Sequence, residues 1–110
     1  MPYGLEKCSA EVHAWNDALR AFTLALGDDI QECTVPQYRA YKRPKTFAYF
    51  QFRPTKNSLV IEVPRSPHDP IPAEPGLVEK RSNHLLGVIV DSDADVSRAR
   101  EFIRAAHERG

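Results

Sequence analysis

Several groups of side chains in this 110-residue chain have the types that catalysis or metal binding uses. Ser66, His68 and Asp69 supply a nucleophile, a base and an acid, but a triad is defined by geometry in space, and nearness in sequence is no warrant for it. Asp91, Asp93 and Asp95 have the alternate spacing that opens an EF-hand loop, yet Val96 stands where the turn needs glycine and Phe102 where a bidentate glutamate would close the site. Capping and the helix dipole account for aspartates at a helix start. Cys8 and Cys33 form no C-x-x-C pair and no Cys/His ligand set, so they are read as free thiols. His13 and His107 fall on expected helices and are read as surface or interface residues, and His84, before a strand, lacks a second ligand at metal spacing. Glu62 offers one carboxylate where a nuclease metal needs several. Glycines at 4, 27, 76, 87 and 110 are too scattered for a phosphate loop. The expectation is no enzyme, no metal and no cofactor.

Binding chemistry is better represented. Between Arg39 and Lys56 lie Arg39, Lys42, Arg43, Lys45, Arg53 and Lys56, with no acidic residue among them, although the whole chain is formally neutral. The remainder must therefore carry a charge of −6. Tyr38, Tyr41, Phe47, Tyr49, Phe50 and Phe52 are interleaved with the cations. Basic side chains neutralise phosphates and release counterions, and aromatic rings beside them stack unpaired bases. Arg39, Lys42, Arg43, Lys45, Arg53 and Lys56 are accordingly the candidate nucleic-acid contacts, with Tyr41 and Tyr49 the candidate stacking platforms. Cations at turns also keep a sheet edge soluble, and aromatics suit strands in any case. Lys45 to Phe52 comes near the RNP1 pattern of RNA-recognition motifs but departs at Thr46 and Phe50. The order of elements also differs from that fold, so the match is read as coincidence.

The elements that must position these residues follow from periodicity. Ser9 caps a helix from about Ala10 to Leu26, in which Val12, Trp15, Leu19, Phe22 and Leu26 recur at steps of three and four, with Gly27 as a stop. Strands are expected over Ile30 to Val35, Tyr38 to Arg43, Thr46 to Arg53, Ser58 to Val63 and Leu85 to Val90. Alternation places Phe47, Tyr49, Gln51 and Arg53 on one side of their strand, and Ala48, Phe50 and Phe52 in the core beside Leu59, Ile61 and Val63. Prolines at 64, 67, 70, 72 and 75 make residues 64–80 an extended loop within the domain. Ser92 and Asp95 open a final helix to about Glu108, with an apolar stripe of Val96, Ala99, Phe102, Ile103 and Ala106. If that helix lies beside the basic strands, its arginines extend the positive surface. Without βαβ alternation, the fold class is α+β: an antiparallel sheet of four to five strands with an N-terminal and a C-terminal helix on one face.

The length suits one domain, residues 1–110, with about 1–9 as a lead-in; such a chain buries roughly two-thirds of its unfolded surface. A content of 42% apolar and 27% charged residues is that of a globular chain and excludes a disordered one. No apolar stretch approaches the ~18 residues of a membrane span, and residues 1–6 lack the order of a signal peptide. A cytoplasmic protein with no membrane partner is expected.

Tyr38-Arg39-Ala40-Tyr41-Lys42-Arg43, Thr46-Phe47-Ala48, and Asp95 with Ile103, Ala105, Ala106 and His107 match a pattern Y-x-A-Y-K, N-F-A and D-x(6–8)-I-x-x-A-(Y/H). In these motifs the chain resembles a family of small bacterial domains of unknown function labelled predicted transport proteins. Members of that family also form the last module of larger, restriction-type proteins. Thr46 stands where the family commonly has asparagine. The resemblance brings no catalytic residues and implies an accessory domain beside enzymes that act on DNA. The expected function is a non-catalytic binding domain that contacts nucleic acid or another polyanion through residues 38–56. The rival is a protein-interaction or homodimerisation domain using the same sheet surface, its basic residues forming a polar rim.

Overall fold

The computed structural model describes residues 4–43 and 45–109. Helix α1, Ala10–Leu24, starts where Ser9 Oγ accepts the Val12 N–H at 3.4 Å, and it buries Val12, Trp15 and Leu19 along one stripe. It ends two residues before the expected Leu26, because the Leu26 N–H turns back to the Thr23 carbonyl and tightens the last turn. The lead-in is part of the core: a 3₁₀ turn at Leu5–Lys7 buries Leu5. Gly4, at φ 86°, lies against Pro54 so closely that a Cβ would come within 2.9 Å of the proline ring.

Six strands form one antiparallel sheet: β1 Gln31–Thr34, β2 Arg39–Lys42, β3 Thr46–Arg53, β4 Ser58–Pro64, β5 Val78–Lys80 and β6 Leu85–Val90. Their order is β1-β2-β3-β4-β6-β5, a four-strand meander extended by the last two. The strand beyond the expected count is β5, which lies inside the stretch 64–80 read as loop. Three residues show no period, and β5 becomes a strand by pairing with β6 along the sheet edge.

Helix α2, Asp93–Arg109, packs with α1 over one face of the sheet and buries Val96, Ala99, Ile103 and Ala106. The Asp95 carboxylate accepts the Asp91 N–H, and Asp93 Oδ1 accepts the Trp15 indole N–H at 2.7 Å, so the start of α2 is tied to α1. Ala48, Phe50, Phe52, Leu59, Ile61 and Val63 meet the helices, as the period of two requires. Val88 and Val90 join them from β6.

Phe47 departs from that alternation. Tyr41 pairs with Ala48 while Lys42 pairs with Thr46, which leaves Phe47 as the extra residue of a β-bulge. The bulge slips the pleat by one position, so Phe47 is buried with the core and meets His107 edge-on at 5.3 Å. It does not share the face of Tyr49 and Gln51.

The proline-rich loop is pinned at two points. Arg65 donates to the carbonyls of Asp69 at 2.6 Å and Asn83 at 3.2 Å, and Arg98 of α2 grips both carboxylate oxygens of Glu74 at 2.6 and 2.7 Å. These bonds lay the loop along the C-terminal half of α2, where Pro70 and Pro72 share a small cavity with Phe102 and Ala106. No helix among the described residues is long and apolar enough to cross a membrane.

Candidate anion-binding surface

Strand geometry divides the basic run. Strand β3 carries eight residues, so Lys45 and Arg53 at its two ends stand roughly 25 Å apart. Arg53 and Lys56 flank the 3₁₀ turn Pro54–Lys56 at the far end. Lys42, Arg43 and Lys45 gather at the β2–β3 turn.

Arg39 and Tyr41 point to the helix side, because Arg39 pairs with Phe50 and Tyr41 with Ala48. Tyr41 is fully buried and packs on Phe50 with ring centres 4.8 Å apart. It cannot stack a base. Its hydroxyl donates to Glu32 Oε2 at 2.8 Å, and the same carboxylate takes two bonds from Arg20 of α1 at 2.7 and 3.0 Å. The Arg20 bonds, aided by that of Tyr41 and opposed by partial burial, hold Glu32 below the ordinary carboxylate range. Burial, then the Glu32 bond and charge, push the Tyr41 phenol above its ordinary value. Arg39 stands 4.0 Å from Glu32 with its side chain 13% exposed. These groups lock α1 to the sheet, and the sequence offered no sign of that because Glu32 and Arg20 lie outside the basic run.

Tyr49 lies on the open face, half-buried, in edge contact with Tyr38 at 5.1 Å. Beside it Glu62, also on the open face and only 6% exposed, is held by the Gln51 amide and by Arg81 Nε at 3.0 Å. Arg81 also reaches Glu79 at 2.9 Å. A Cβ on Gly87 would come within 2.8 Å of the Arg81 Cγ and Cδ, so this glycine leaves the space in which the arginine stem crosses the sheet. Glu62 is thus consumed by a structural ion pair.

At the β2–β3 turn the tertiary fold adds cations from elsewhere. The end of α2 does lie beside this turn: the Arg43 guanidinium donates to His107 Nε2 at 3.4 Å and binds Asp29 at 2.6 Å. Arg43 thereby keeps Asp29 below the usual carboxylate range. Lys45, Arg65 and Arg109 line one groove of about 290 Å³, which also exposes the hydroxyl residues Thr46 and Ser66. Among the described residues, no carboxylate lines it. Lys45 and Arg65 form no ion pair with any described residue, and Arg109 reaches Asp69 only at 3.4 Å. The other arginines of α2 are engaged elsewhere, Arg98 with Glu74 and Glu101, and Arg100 and Arg104 over the Phe22 ring. Arg65 escaped the sequence reading because it follows the basic run by nine positions and sits among prolines; a cation just past the end of an expected strand was its only signal.

Among the described residues, no three His, Cys, Asp or Glu side chains converge as a metal site. Ser66, His68 and Asp69 form no relay: the Asp69 carboxylate accepts the Ser66 backbone N–H at 3.0 Å and the Arg109 guanidinium.

Residues 5–110 match the model of a family described as a domain of unknown function, DUF5655, and the chain belongs to that family. No curated protein and no solved structure matches it.

Proposed function

We propose, for a family whose description assigns no activity, that this member is a non-catalytic module binding nucleic acid or a comparable polyanion at the basic end of its sheet. The observation that carries the reading is the groove in which Lys45, Arg65 and Arg109 meet with no carboxylate in the wall among the described residues. Lys42 and Arg43 stand at the adjoining turn, and Tyr49 on the open face is the remaining stacking candidate. With Arg43 held by Asp29, three or four phosphate contacts follow from this arrangement in place of the six cations of the linear run. Arg53 and Lys56 become peripheral, and Arg39 and Tyr41 structural. The finer family description, small bacterial domains that also close restriction-type proteins, supports the reading by analogy, since such companions act on DNA. The role belongs in the cytoplasm, where nucleic acid is at hand and free thiols stay reduced.

Labelled single- and double-stranded oligonucleotides titrated with the protein, read by fluorescence anisotropy at 50 and 200 mM salt, test this. With three phosphates neutralised, affinity for duplex falls roughly 40-fold across that interval. Lys42→Glu with Lys45→Glu abolishes binding, while Arg53→Glu with Lys56→Glu leaves most of it. Salt-insensitive binding, or none at 50 mM salt, overturns the proposal.

The rival reading, a homodimer or protein-binding domain, is favoured by β1 alone. Each of its four residues is exposed and it closes one edge of the sheet, so its outer backbone groups are open to a further strand.

A further inference from the structure

The groove at Lys45 has features that a surface for passing phosphodiesters does not require. Arg65 has five N–H donors and spends three bonds on the carbonyls of Asp69, Ser82 and Asn83, so at least two donors lack an acceptor among the described residues. Its Nε, which is buried, is one of them. A guanidinium held in place by three carbonyls and facing no carboxylate is a cation fixed before any ligand arrives. Lys45 comes to the same groove from the β2–β3 turn and Arg109 from the end of α2, with Thr46 and Ser66 offering hydroxyls between them. Phe47, Pro64 and Ala106 supply an apolar wall. A volume of about 290 Å³ is enough for one small organic group.

We infer that this groove is a binding site for a terminal phosphate monoester, with the dianion among Lys45, Arg65 and Arg109 and the organic remainder against Phe47, Pro64 and Ala106. The charge balance favours the monoester. Three cations face the site, and the one nearby carboxylate among the described residues, Asp69, holds Arg109 at 3.4 Å, so a dianion meets the remaining positive charge where a diester monoanion would leave part of it unmatched. The chemistry is shared by a free nucleoside monophosphate and by the 5′-phosphorylated end of a strand. The inference deepens the polyanion reading and rests on it only for the strand-end form.

The test compares a 5′-phosphorylated with a 5′-hydroxyl single-stranded hexanucleotide by anisotropy, and adenosine 5′-monophosphate with adenosine by calorimetry, at 100 mM salt. The phosphorylated member of each pair binds at least tenfold tighter, and Lys45→Glu removes that preference while leaving the thermal unfolding midpoint unchanged. Arg65 ties the loop together and its replacement risks misfolding, so Arg109→Glu serves as the second variant and also reduces the preference. If both hexanucleotides bind alike and the monophosphate does not bind, the inference is overturned while the polyanion reading survives. If the monophosphate binds but neither strand does, the pocket stands and the polyanion reading falls. A preference that persists in both variants overturns the assignment of the site, and failure of every ligand to bind overturns both proposals.

Discussion

Replacing Gly87 by alanine tests the most specific packing statement the structure makes. The added methyl would stand 2.8 Å from both Cγ and Cδ of Arg81, well inside contact distance, so the arginine stem must leave the sheet surface. With it goes the 3.0 Å bond from Nε to Glu62, whose side chain is 8% exposed and then depends on Gln51 alone. Removing one partner of a fully buried ion pair costs about 3–5 kcal/mol. Arg81 is 28% exposed and water can reach part of the vacated space, so Arg81→Ala is expected to cost about 2–3 kcal/mol. Gly87→Ala should cost about 2 kcal/mol by displacing the same side chain. In the double variant there is no stem to displace, and alanine in a strand interior recovers about 0.5 kcal/mol of backbone entropy over glycine. The pair should therefore cost no more than Arg81→Ala alone, a coupling of about 2 kcal/mol. Urea unfolding followed through Trp15, the single tryptophan and a core residue, measures all three with the slope checked for constancy. A further variant, Glu62→Gln on the Arg81→Ala background, should regain at least about 1 kcal/mol by removing the stranded charge. Costs that add to within about 0.5 kcal/mol would refute the claim that Gly87 exists to pass the Arg81 stem.

Three more outcomes follow from the helix side of the sheet. Because the folded state raises the Tyr41 phenol above its ordinary value, the associated stability is complete below about pH 10 and is lost as pH climbs toward the folded-state value; Tyr41→Phe should flatten the decline of the unfolding midpoint above pH 10, and an unchanged slope would show that the phenol is not the group responsible. Glu32 has the opposite sign, its depressed folded value giving stability that is present above about pH 4.3 and lost as pH falls through the lower folded value, so Arg20→Ala should move the acid-unfolding midpoint upward in a circular-dichroism titration. Asp93→Ala leaves the buried Trp15 indole N–H without its 2.7 Å acceptor and is expected to cost about 1–2 kcal/mol with a shift in tryptophan emission; unchanged emission would count against that bond.

Much of the fold was legible because local patterns and tertiary packing agree. The stripe Val12, Trp15, Leu19 and the alternation Ala48, Phe50, Phe52 each require a buried face, and each received one. The misses came where a neighbour overrode the local pattern. Phe47 follows the alternation of its own strand on paper, yet the bulge opposite Tyr41 and Lys42 turns it inward. Strand β5 has too few residues to carry a period and exists by virtue of β6. The candidate site was less legible than the fold. Six cations in one segment looked like one surface, but alternation and strand length sent Arg39 to the helix side and Arg53 and Lys56 to the opposite end.

By itself the sequence determined the class of fold and the presence of an excess of positive charge near the β2–β3 turn, because periodicity and composition act over a few neighbouring residues. Which cations are spent and which remain available was decided by tertiary structure, since neutralisation depends on what lies within a few ångströms through space. Asp29 claims Arg43, and Glu32 lies beside Arg39, from residues outside the run. Arg65 and Arg109, separated from Lys45 in the chain, reach its groove because β4 ends there and α2 closes over it.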